Sequence, residues 1–254
     1  MTKPNLRKRY YLVIIFVLGS IVLALTMLGT SSTSTRADER RDGPVVITPD
    51  NVAFGRTYGE WSAAWEQWAD SIPVAVHPLF DNGDCSVGQA GSVWFLGGKF
   101  CANGAPNCGT SNVVRTCNVP AGRALYFPVV NSEDSALEEH DDKKQIADLR
   151  IFVGSQVDLA TSLSCEVDGA PIQQLMERFR VQSPAFGFTI PDDNFFTALG
   201  EGNFTGGAYF PGVDDGVYVM LAPLPRGHHL LHFHAAIPTY NFTLDITYHL
   251  AVGR

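Results

Sequence analysis

No Cys-x-x-Cys pair, Gly-x-Ser-x-Gly elbow or EF-hand spacing occurs anywhere in the chain. The first absence removes the usual zinc framework and the second the strained serine turn of α/β-hydrolases. The third leaves the acidic residues without a ready-made calcium loop. Gly97-Gly98 and Gly206-Gly207 lack a phosphate-loop context. No repeat period or heptad run appears. Positive charge is also scarce beyond the N-terminus. Five of the 18 Lys/Arg lie in residues 1–37, leaving 13 against 26 Asp/Glu in the rest, a net charge of −13 there. A surface so negative repels a phosphate backbone, so nucleic acid is excluded as a partner.

Charge is missing from one long stretch. Lys3, Arg7, Lys8 and Arg9 precede a run without charge from Tyr10 to Thr35, with an apolar centre at Leu12–Leu28. At about 1.5 Å per residue, twenty such residues make about 30 Å of helix, enough to span a bilayer. Residues 1–37 therefore read as a signal peptide or membrane anchor with a short spacer. Residues 10–30 are the membrane contact if the segment is uncleaved, and 38–254 read as a single exported β-rich domain. The expected location is extracytoplasmic, secreted or anchored by the N-terminal helix.

In an oxidising compartment the five cysteines, Cys85, Cys101, Cys108, Cys117 and Cys165, read as disulfide formers, with pairing unfixed by sequence. Cys101 and Cys108 bracket a Gly/Pro/Asn-rich loop and would close it locally. Cys85 and Cys117 would then tie the ends of the 85–117 region, with Cys165 left over.

Thr57 and Glu60 form a capping-box pair, and Tyr58, Trp61, Trp65 and Trp68 follow at helical spacing on one face, with Pro73 ending the helix. Strands are expected at Val93–Leu96, Asn112–Cys117 and Leu125–Val130, the last bulged or at an edge because of Pro128. Six acidic residues between Glu133 and Asp142 (Glu133, Asp134, Glu138, Glu139, Asp141, Asp142) read as a solvated loop leading into a second helix, Asp141–Ala160. Beyond it, Ser162–Val167 and Ala170–Leu175 flank an Asp-Gly turn, Asn194–Asp215 reads as Gly-rich loop, and Gly216–Leu221, Gly227–Ala236 and Phe242–Val252 read as strands. The predicted fold class is mainly β: a jelly-roll-like β-sandwich with two helices, preceded by the N-terminal hydrophobic helix.

YGEWSAAWEQW, then CSVGQ and VWFLGG, then RTCNVPAGRALYFPVVN, RVQSPAFGFTIP and GHHLLHF together resemble a family of uncharacterised exported bacterial proteins. The likeness covers nearly the whole exported part. It implies the compartment and architecture already read from the residues, supports a Cys85–Cys117 bridge, and carries no reaction.

Candidate chemistry is sparse. On a strand over Gly227–Ala236, His228, His232 and His234 share one face, and a His-x-His pair presents two imidazoles to one metal. His232 and His234, with His249 or the carboxylates of Glu138 and Glu139 as third ligand, are the metal candidates, and a divalent metal is the only cofactor the chain suggests. The expectation is that no third ligand is in place and that the strand is structural. Trp61, Trp65 and Trp68 read either as core or, if exposed, as a ligand-stacking platform for a sugar. Two functions follow: a non-catalytic binding or structural envelope protein whose partner is a glycan or another envelope protein, or a metal-binding protein or metal-dependent enzyme using the His228–His234 strand.

Overall fold

A computed structural model describes residues 43–100, 102–103, 110–140 and 145–253. The N-terminal helix expected in residues 1–37 and the Cys101–Cys108 bridge lie outside them. Among the described residues no helix is long and apolar enough to cross a membrane.

After the short strand β1 (Val46–Ile47), Thr57 caps helix α1 (Tyr58–Asp70). Its hydroxyl accepts from the Glu60 N–H while the Glu60 carboxylate accepts from the Thr57 N–H at 2.7 Å, so two orphan donors of the first turn are satisfied at once. Then follow β2 (Val93–Phe95), β3 (Thr110–Pro120), β4 (Ala124–Ser135), α2 (Ile146–Val157), β5 (Thr161–Val167) and β6 (Ala170–Pro171). The chain continues through α3 (Leu175–Phe179), β7 (Arg180–Gln182), β8 (Phe186–Ile190), α4 (Phe195–Leu199), β9 (Gly207–Leu221), β10 (Gly227–Ile237) and β11 (Phe242–Gly253).

The strands form two sheets. One runs β1-β9-β4-β2, with β7 and β8 also on β9, and the other runs β3-β11-β10-β5-β6. They face each other as a β-sandwich, with Phe127 of β4 stacked on Phe233 of β10 across the interface at 5.3 Å between ring centroids. The β2/β4 and β3/β11 pairs are parallel and the other pairs antiparallel.

The outer face of the first sheet is covered by α1. Tyr58, Trp61, Trp65 and Trp68 are all buried there, against Phe95 of β2, Tyr126 of β4 and Tyr218 of β9, the two tyrosines stacked at 5.1 Å. Each of the three α1 tryptophan N–H groups finds a backbone carbonyl: Ala53 for Trp61 at 2.8 Å, Leu96 for Trp65 at 2.7 Å, Val87 for Trp68 at 3.1 Å. Burying 150–250 Å² per ring contributes about 4–6 kcal/mol of transfer energy each before entropy is subtracted. Helix α2 packs Leu149 and Val153 against Val213 of β9. Cys85 is bonded to Cys117 with 5.8 Å between Cα atoms, tying the turns after α1 to β3, and Cys165 is a buried free thiol.

Three expectations are corrected. Four helices stand where two were expected, because α3 and α4 are single five-residue turns, too short for any apolar period to show. The stretch read as a loop over Asn194–Asp215 holds α4, capped by the Asn194 side chain on the Thr197 N–H at 3.0 Å, and more than half of β9. Strand pairing there survives the glycines because β4, β7 and β8 all hydrogen-bond to β9. The strand expected at Ala170–Leu175 stops at Pro171, since Leu175 begins α3.

Candidate functional site

Strand β4 carries one extra residue relative to β9. Pro128 opposes Tyr218 and Val130 opposes Val217, so Val129 is left as a bulge just past the end of β2. A bulge switches which face later side chains take. Tyr126 faces α1 before it, and Asn131 and Glu133, which would otherwise point away, face α1 after it. Glu133 is thereby set directly opposite Asp214, and Asn131 opposite Gly216. From the other side α1 presents Glu66 and Asp70, four residues apart on one helical face.

The result is a carboxylate chamber. Asp70, Glu66 and Asp214 are 0%, 3% and 1% exposed. Glu133 is partly covered as a residue, but its Oε1 is sealed from solvent. The Asn131 amide donates to Glu66 at 2.7 Å and to Asp214 at 3.4 Å, and the Tyr218 hydroxyl donates to Glu66 at 3.2 Å. Ser135 donates to Glu138 at 2.6 Å. Neither oxygen of Asp70 has a hydrogen-bond partner among the described residues, and neither do Glu133 Oε1 and Asp214 Oδ2.

Burial, and then neighbouring carboxylates, push Glu66, Asp70 and Glu133 well above the ordinary carboxylate range. Burial lifts Glu138 to about 8 and Asp214 to about 7 against hydrogen bonds that pull down. Like charges directly opposite on paired strands are unfavourable, so two groups on this rung do not both ionise freely. The solvated loop expected at Glu133–Glu138 is therefore corrected: Glu133 and Asp134 belong to β4, and Glu138 turns back into the chamber. The next acidic residue along β9, Asp215, is paired elsewhere. Arg180 bonds Asp215 at 2.8 Å, on the opposite face of β9.

A cavity of about 540 Å³ opens beside the same bulge, along the edge of β4 that β2 leaves free. Its apolar wall includes Val129, Phe152, Ile237 and Leu244, and its polar groups are Lys99, Asn131, Ser132, Gln156, Tyr240 and Asn241. Phe152 and Tyr240 are 47% and 55% exposed at its mouth, and the Tyr240 hydroxyl donates to Gln156. One wall is the strap at Gly97–Phe100, where a side chain at Gly97 would meet Trp65 at 2.8 Å and one at Gly98 would meet Leu244 at 2.7 Å. Arg115 holds the strap through the carbonyls of Gly97 and Gly98, at 3.1 and 2.7 Å. Asn131 joins the two features, lining the cavity while donating into the carboxylate chamber.

The chain matches no known family model, no curated protein and no solved structure.

The histidine strand behaves as predicted in its alternation and differently in its contacts. Leu231 and Phe233 are buried inward, while His232 and His234 lie half-buried on the outer face. A carboxylate does stand between them, contrary to expectation: Asp245 of β11 lies 3.1 Å from His232 Nε2 and 3.5 Å from His234 Nδ1. The residue directly across from His234 is Asp245, which places it there. His249 sits opposite Leu230, exposed, and Glu138 is committed to the carboxylate chamber. His229 binds Asp168 at 2.7 Å and the Pro225 carbonyl at 2.9 Å, as a turn clasp. Among the described residues no three His, Cys, Asp or Glu side chains are grouped to hold a metal; His232 and His234 both contact Asp245, Glu166 lies 3.9 Å from His232, and His249 is exposed. Trp61, Trp65 and Trp68 are buried in the core with their N–H groups bonded inside, and Trp65 also backs the cavity.

Glu66, Asp70, Asn131 and Asp214 escaped the sequence reading. The available signal was Glu66 and Asp70 at i, i+4 on a helix otherwise dominated by tryptophan and alanine. A helix solvated on that side has no need of their burial, and only the bulge reveals which strand faces them.

Proposed function

We propose that the chain is an extracytoplasmic, non-catalytic binding protein whose cavity beside β4 takes a short stretch of neutral glycan. The observation that carries this reading is the pairing of half-exposed Phe152 and Tyr240 rings with the amide and hydroxyl groups of Asn131, Ser132, Gln156 and Asn241 around one concavity. Its volume falls within the ~300–1,000 Å³ of small-molecule sites, which favours a compact ligand over a flat protein partner. Aromatic faces take the apolar side of a sugar ring and amides take its hydroxyls. The carboxyl groups that hydrolysis would need are turned into the chamber behind Asn131, so binding without turnover is the simpler fit.

Placement outside the cytoplasm belongs to the same proposal. The Cys85–Cys117 bridge suits an oxidising compartment, and the charge-free run at 10–35 suits export. The jelly-roll relationship is likewise a proposal: two face-to-face sheets support it, and the parallel β2/β4 and β3/β11 pairs set this topology apart from a strict double Greek key.

Calorimetric titration with a panel of neutral oligosaccharides tests the reading, with Tyr240→Ala alongside. Saturable binding weakened at least tenfold by the variant, without release of shorter sugars, is expected. Binding to no member of the panel, or binding indifferent to Tyr240, would remove the proposal.

A further inference from the structure

We infer that the chamber between α1, the end of β4 and β9 is a binding site for one hard divalent cation of the calcium class, with Asp70, Glu133 and Glu138 as its carboxylate ligands. This is separate from the glycan reading, which concerns the cavity on the other side of Asn131.

Three observations carry it. The first is Asp70, fully buried with both oxygens free of any hydrogen bond among the described residues, an orphaned polar group of the kind that calls for a partner. The second is Glu133, whose Oε1 is sealed from solvent and equally unpartnered, on the strand that faces Asp70. The third is what surrounds them. Asp70 feels Glu138 and Asp214, and Glu133 feels Glu138, Asp70 and Glu66, while no described lysine or arginine forms an ion pair with any of these groups. Ionised carboxylates gathered away from water cost several kcal/mol each, so the metal-free chamber holds them protonated, and a divalent ion is the counter-charge that would let them ionise.

The donor set chooses the class of ion. Three carboxylates offer six oxygens, the lower end of calcium's coordination number, and no imidazole or thiol joins them, which disfavours zinc and copper. The two positive charges of one divalent ion against three carboxylates leave a net charge of only −1. Glu66 and Asp214, hydrogen-bonded to each other and to Asn131, flank the site as orienting groups. Glu201, exposed at the surface and hydrogen-bonded to Glu138, marks the way in. The ligands do not already converge on one point, because Glu133 and Glu138 are hydrogen-bonded to each other. Loading replaces that bond, releases to solvent the protons that Asp70, Glu133 and Glu138 hold in the metal-free chamber, and turns the unpartnered oxygens of Asp70 and Glu133 onto the ion.

The test uses the full chain freed of metal with EDTA and then cleared of chelator. Terbium stands in for calcium, excited through the tryptophans of α1, two of which lie within a few residues of Glu66 and Asp70. The expected result is sensitised emission saturating at one ion per chain, displaced by calcium but not by potassium, with affinity reduced at least tenfold in Asp70→Asn. Glu138→Gln, at the outer end of the chamber, is the second variant should Asp70→Asn fail to fold, and the same loss is expected. Absence of sensitised emission from the folded wild-type chain would overturn the inference. So would emission unchanged in a folded variant, since the ion would then sit elsewhere on the acidic surface.

Discussion

Raising the pH from 6.5 to 8.5 should destabilise the metal-free protein. A carboxyl whose pKa rises on folding holds its proton more tightly in the folded chain. Its contribution is whole below the unfolded value near 4 and is lost as pH climbs through the folded value. Glu138 is lifted to about 8 and Asp214 to about 7, both by burial first. Against unfolded values of about 4.3 and 3.9, integration over this window gives a loss of about 2 kcal/mol from Glu138 and about 1 kcal/mol from Asp214. Glu66, Asp70 and Glu133, pushed well above the ordinary carboxylate range by burial, add to the loss in the same direction. At about 2–4 °C per kcal/mol for a domain of this size, Tm should fall by about 6–12 °C or more. The window starts at 6.5 for a reason. Burial pushes His77 down to about 4, so below 6.5 its protonation in the unfolded chain destabilises the fold and opposes the carboxyl effect. Thermal melts in EDTA followed by tryptophan fluorescence and by circular dichroism measure the slope. A Tm that stays flat or rises across 6.5–8.5 would refute the account of the chamber.

Trp65→Ala removes a ring that is 1% exposed and its bond to the Leu96 carbonyl, and should cost about 3–5 kcal/mol in a denaturant melt. Reducing Cys85–Cys117, which closes a loop of sequence separation 32, should cost about 3–4 kcal/mol, seen as a lower midpoint with dithiothreitol than without. Arg180→Met leaves the buried Asp215 carboxylate without its cation and should destabilise by about 3 kcal/mol or more, whereas Arg180→Lys, a point charge without the fork, should recover only part of that loss.

What the sequence made legible was whatever repeats locally. The capping box at Thr57 and the tryptophan spacing define α1 to within a residue, because both are written within thirteen positions. The alternation of Leu231 and Phe233 with His232 and His234 reads correctly for the same reason. Pro128 even announces the bulge. What stayed hidden is set by partners distant in sequence. The bulge decides the face of Glu133 only relative to β9, and the acidity of the segment after it argues for solvent until α1 is known to cover it. Asp245 comes between two histidines through strand register, eleven residues beyond the nearer of them. The carboxylates of α1 hide behind the stronger signal of its tryptophans, since the helix is buried on two faces and only one shows an apolar stripe.

The glycan cavity is tested most directly by side-chain amide NMR. In protein labelled at asparagine and glutamine nitrogens, a bound oligosaccharide should shift the Asn131, Gln156 and Asn241 amides together at one saturating concentration. Asn51 and Gln89, which are bonded elsewhere, should stay where they are. Shifts confined to surface amides away from the cavity, with Asn131 and Gln156 unmoved by a ligand that demonstrably binds, would contradict the account.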